Sequence, residues 1–99
     1  MEEKRQHPRR VVDLSAGIRR SGGQLVSARI VDLSFGGLYA ETNAAFAFGD
    51  EVVVLLSLPG LGESEIPATV RWTKPSGVGL QFGLLGVRVT HALGEALRE

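Results

Sequence analysis

Arg5 and Arg9 stand four positions apart in Arg5-Gln6-His7-Pro8-Arg9, a basic stretch that its proline keeps from being a regular helix. A planar guanidinium can pair two donors with a phosphate, or with O6 and N7 on the Hoogsteen edge of guanine. Taken alone, two such arginines are more commonly a solvated charged tail. The second chemically interesting stretch is Asp32-Leu33-Ser34-Phe35-Gly36-Gly37. In a strand, Asp32 and Ser34 share one face. A carboxylate there can accept from N1 and N2 of guanine or orient an arginine, while the glycines permit a sharp turn and close approach of a ligand. Taken alone, this stretch also fits an ordinary strand end with a polar turn.

Other chemistries find little support. An acid–base or nucleophilic enzyme needs a base held beside its partner, most often a histidine with a carboxylate. The two histidines, His7 and His91, lie far apart in sequence and near no recognisable serine or aspartate motif. They form no HxH or HExxH spacing, and there is no cysteine, so neither a metal site nor a disulfide is expected. Gly60-Leu61-Gly62 has no third glycine and no following helix, and no Walker lysine follows any glycine cluster. These are turns, and the chain is read as a non-enzyme without a cofactor.

The elements that must position these residues fit within one domain of 99 residues. With 43% hydrophobic residues the chain can make a core, and 13 Gly suit many short strands better than a helical bundle. Eleven basic and eleven acidic residues cancel, which argues against a protein that coats nucleic acid or an anionic membrane through its overall field. The local distribution is uneven, because Lys4, Arg5, Arg9 and Arg10 crowd the first ten residues, and such a patch points to a small anionic ligand. No apolar run reaches the length of a membrane helix, and no apolar stretch follows the charged N-terminus. A cytoplasmic protein without membrane insertion is expected.

Residues 1–10 read as a flexible polar arm. Val12, Leu14, Ala16 and Ile18 then alternate with polar or small residues, the period of a half-buried strand, and Ser21-Gly22-Gly23 supplies a tight hairpin. Further strands are expected from about Gln24 to Leu33, Leu38 to Glu41, Glu51 to Leu58, through Ile66, Ala68, Val70 and Trp72, and through Val78, Leu80 and Phe82. The loop Asn43–Gly49 is expected to send Phe46 and Phe48 toward the core. The alternation predicts Trp72 as a packing residue first and a ligand contact second. Thr90 is the expected N-cap of a helix over 90–99, with Ala92, Leu93, Ala96 and Leu97 at helical spacing. Six short strands and one terminal helix predict an all-β antiparallel barrel over 11–85, closed so that no sheet edge is left exposed.

On this frame the two chemically interesting stretches together resemble the signatures of the PilZ domain family. Those are RxxxR in an N-terminal arm, here Arg5 and Arg9, and [D/N]xSxxG on a barrel strand, here Asp32, Ser34 and Gly37. Val70-Arg71-Trp72 and Gly79-Leu80-Gln81-Phe82 are similar to later parts of the family pattern, and the resemblance spans nearly the whole chain. It implies a single PilZ domain over 1–99, a six-stranded antiparallel PilZ-type β-barrel with a flexible N-terminal arm and a short C-terminal α-helix, in a bacterial second-messenger receptor. The implied ligand is cyclic di-GMP, clamped between arm and barrel as one molecule or an intercalated dimer. Arg5 and Arg9 would meet guanine edges and phosphates, Asp32 and Ser34 a guanine, and Gly37 would shape the turn. Lys4, Arg10, Gly36 and Trp72 are secondary candidates, Lys4 because that position bears on ligand stoichiometry in the family. The response would pass to a separate effector protein, from a monomer or weak homo-oligomer that binds no nucleic acid. The alternative is a PilZ-fold adaptor that binds proteins and no nucleotide; an oligonucleotide-binding barrel would need basic and aromatic residues spread across one sheet face.

Overall fold

The computed structural model describes residues 9–98. Six strands, β1 (Arg10–Arg20), β2 (Leu25–Leu33), β3 (Gly37–Glu41), β4 (Glu51–Leu58), β5 (Gly62–Lys74) and β6 (Gly77–Phe82), precede one helix, α1 (Val87–Arg98). All neighbours are antiparallel, and the order β1-β2-β3-β6-β5-β4 closes on itself as a barrel. Every strand therefore has a partner on each side along at least part of its length, which closes the sheet on itself.

The alternation seen in the sequence becomes the inside and outside of this barrel. On β4, Val52, Val54, Leu56 and Leu58 are buried, while Glu51 and Ser57 are exposed. On β5, Ile66, Ala68 and Val70 point inward, and they meet Ile18, Ile30, Leu33, Leu38, Val78 and Leu80 in one core. The β1–β2 hairpin turns through Gly22 and Gly23, whose φ angles of 96° and 95° are ones a side chain would resist.

Three expectations need correction. Arg10, expected in the arm, is the first residue of β1 and pairs with Leu33. The helix begins at Val87, ahead of the expected cap at Thr90, whose N–H donates to Gly86 O at 2.9 Å inside the first turn. That turn holds β-branched Val87 and Val89 and no acidic residue, so its sequence does not announce a helix. Burial of Ala92 and Leu93 in the core holds it in place. Phe46 does pack against the core, whereas Phe48 is 71% exposed. Gly49 N–H donates to Val70 O and Val70 N–H to Asp50 O, which ties the loop to β5 and leaves Phe48 outside.

Candidate functional site

Two irregularities in the strand pairing shape the outer face where the expected site residues meet. On β2, Ile30 pairs with Ala40, but the next partner of β3, Tyr39, faces Asp32. Val31 is thus an extra residue, a β-bulge. Regular alternation after inward-facing Ile30 would turn Asp32 into the core. The bulge turns it outward and puts Leu33, which is fully buried, in its place. Asp32 there accepts a hydrogen bond from the Arg9 guanidinium, forming an ion pair in which both side chains are about one-third exposed. Arg9, the one described residue of the arm, is thereby fastened to the barrel wall.

The same device operates on β5. Val70 pairs with Leu80 and Trp72 with Gly79, so Arg71 is the extra residue. The expectation that Trp72 continues the inward series of Ile66, Ala68 and Val70 is corrected by this bulge. Trp72 stands on the outside, 40% exposed, with its indole over Gly79, where a Cβ would lie 2.2 Å from Cε2.

The shared face expected for Asp32 and Ser34 is also corrected, because β2 ends at Leu33. Ser34 lies in a turn, 4% exposed, and its Oγ accepts from the N–H groups of Gly36 at 3.1 Å and Gly37 at 3.2 Å. The Ser34 N–H donates to Gly37 O at 2.9 Å. The hydroxyl therefore builds the turn. Gly37 is required for close approach of β6, since a Cβ would stand 2.0 Å from Leu80 O.

A cleft of about 330 Å³ opens over this turn, at the small end of the usual range for small-molecule sites. Arg9, Ser34, Gly36, Gly37 and Trp72, all expected from the sequence, line it. Asp32 joins them through its ion pair with Arg9, while Arg10 is not among the lining residues. Lys4 and Arg5 lie outside the described residues, as does most of the arm expected to be flexible. Five other lining residues were not foreseen as site residues: Leu38, Gly79 and Leu80, and the polar Arg71 and Gln81. Gln81 pairs with Gly37 across the β3–β6 ladder, and alternation alone places it outward. Arg71 is brought to the cleft by its bulge, for which the sequence offers no signal.

The cleft is thus lined by two arginines, a glycine turn and an exposed tryptophan. That set suits a ligand with anionic oxygens and a flat aromatic ring. Among the described residues no three His, Cys, Asp or Glu side chains gather as metal ligands, and no helix is long and apolar enough to cross a membrane.

Comparison with known proteins agrees with this architecture. The model of the PilZ domain matches residues 3–98. Among solved structures, the PilZ domain of CeSA from a cellulose-synthesizing bacterium superposes with a TM-score of 0.76 at 16% identity, covering 92% of this chain and 95% of that one. The PilZ domain of YcgR from Escherichia coli, solved with c-di-GMP, gives 0.80 at 14% identity, covering 97% and 90%. The K. pneumonia MrkH–c-di-GMP complex gives 0.75 at 18% identity, and there 98% of this chain spans 51% of the longer protein. No curated protein sequence matches the chain.

Proposed function

Because the chain belongs to the PilZ domain family, we propose that it is a cyclic di-GMP receptor that clamps the dinucleotide between its N-terminal arm and the Asp32–Gly37 segment and passes the signal to a separate protein. The observation behind this reading is the cleft itself. Arg9, the Ser34–Gly37 turn, and the Arg71–Trp72 pair come from three distant stretches of chain and converge on one small volume. Guanidinium forks suit the phosphates and the O6/N7 edges of the guanines, and an exposed indole offers a stacking surface. Asp32, now paired with Arg9, can orient that arginine or accept from the N1 and N2 hydrogens of a guanine. Arg5 completes the clamp from the arm. The structurally similar YcgR domain and MrkH were solved with this nucleotide, which supports the choice of ligand.

Binding would pin the arm across the barrel face and create a surface for an effector protein, a local ordering with a distant readout. The test is equilibrium titration of Arg5→Ala and Arg9→Ala with cyclic di-GMP. Each is expected to lose binding while melting like the parent protein, since Arg9 makes only a partly exposed ion pair. Parental affinity in either variant would rule out the clamp.

A further inference from the structure

Trp72 does not stand alone. Its indole is stacked on the ring of Tyr39, with centroids 5.1 Å apart and planes within 6°. Tyr39 is on β3 and Trp72 on β5, with β6 between them, because both pair with Gly79. Strands two apart lie about 9–10 Å from each other, too far for their side chains to stack over an ordinary residue. The bare Gly79 lets the rings lean together. A Cβ there would strike the Nε1–Cε2–Cζ2 edge of the indole at 2.2–2.7 Å, and one at Gly77 would stand 2.0 Å from the Tyr39 hydroxyl. Lys74 Nζ, 5.3 Å from the Trp72 ring centroid and 5.6 Å from that of Tyr39, lies within cation–π range of both.

Tyr39 does not line the cleft, whereas Trp72 does. One face of the indole is covered by Tyr39, and the ring remains 40% exposed. We propose that Tyr39 is a positioning residue for the ligand site: it backs the Trp72 indole so that the free face is held as a fixed platform for a purine base of the bound nucleotide. This rests on the reading of the cleft as a cyclic di-GMP site. A side chain turned outward by a bulge would otherwise sample several rotamers, and holding it in one lowers the ordering cost of binding. Tyr39, Trp72 and the base would then form a continuous three-layer stack.

Trp72 is the only tryptophan and Tyr39 the only tyrosine, so the arrangement reports on itself. The experiment follows Trp72 fluorescence during titration with cyclic di-GMP, alongside calorimetry, in the parent protein, Tyr39→Phe and Tyr39→Leu. The parent should show heat and a saturable change in Trp72 emission with the same midpoint. Tyr39→Phe keeps the ring and should match it. Tyr39→Leu should bind about two- to tenfold more weakly, the scale of one aromatic pair, with a diminished fluorescence change and an unaltered circular dichroism spectrum. Heat without any change in Trp72 emission, or Tyr39→Leu indistinguishable from the parent, overturns the platform while leaving the receptor reading intact. Absence of heat in the parent protein removes the receptor reading, and this one with it.

Discussion

Gly37→Ala separates what the turn does for the fold from what it does for a ligand. The substitution is not opposed by local backbone angles, since Gly37 is not among the residues with positive φ. The obstacle is β6: the new Cβ would lie 2.0 Å from Leu80 O and 3.1 Å from Gln81 Cα, all backbone. Non-bonded carbons rest about 3.5–4.0 Å apart, so β3 and β6 would have to part by about 1 Å or more. Parting them strains the hydrogen bond from Phe82 N–H to Gly36 O, 2.9 Å long. Overpacking of this kind together with one weakened backbone bond costs about 2–4 kcal/mol. For a domain of this size that is a fall in melting temperature of about 8–30 °C. Thermal and urea unfolding followed by circular dichroism measure it, with Gly83→Ala as the control. A Cβ at Gly83 meets only Pro67 atoms at 3.7 Å, so that variant should stay within about 0.5 kcal/mol of the parent. If Gly37→Ala melted within about 2 °C of the parent, the close approach would not be what requires this glycine.

The other expectations concern the turn, the cleft and the outer wall. Ser34→Ala leaves the Gly36 and Gly37 N–H groups without their acceptor and should cost about 1–3 kcal/mol in urea unfolding, with nucleotide affinity falling alongside. An unchanged midpoint would show that the hydroxyl is dispensable to the turn. Arg71→Ala shortens an exposed arginine that lines the cleft, so affinity for cyclic di-GMP should fall about tenfold with little change in stability. Affinity equal to the parent would place the phosphates elsewhere. Elsewhere on the barrel, between β1 and β5, the hydrogen bond and charge of Arg19 hold the Glu65 carboxyl below the usual glutamate range. Its contribution to stability is therefore present above the ordinary glutamate pKa and lost as pH falls through the lower folded value. Carboxyl NMR titration should find Glu65 depressed in the parent and returned toward ordinary values in Arg19→Ala.

The barrel is legible in the sequence wherever a strand keeps its period. Glu51–Leu58 is β4 to the residue, and the double glycine after Ser21 forms the hairpin it implies. The places that escape are those where the period breaks. A bulge inserts one residue without altering composition, so neither Val31 nor Arg71 can be singled out, and each reverses the facing of the residues after it. Alternation assigns Trp72 to the core because it takes no account of a period that ends one residue earlier. It likewise puts Asp32 and Ser34 on one face of a strand that stops between them. The stack of Tyr39 on Trp72 is hidden for a related reason, because it depends on a glycine on the intervening strand that only the register brings between them. Arg9, Ser34, Gly36 and Gly37 nevertheless line one cleft, a meeting that only the resemblance to the PilZ family implied, since neither stretch announces it alone.

The central claim, that the cleft and arm form a cyclic di-GMP site, is tested most directly by isothermal titration of the protein with cyclic di-GMP, beside GTP and cyclic di-AMP. Saturable heat with cyclic di-GMP alone is the predicted result, and its stoichiometry distinguishes one bound molecule from an intercalated pair. Absence of heat with cyclic di-GMP, or equal response to all three nucleotides, would contradict it.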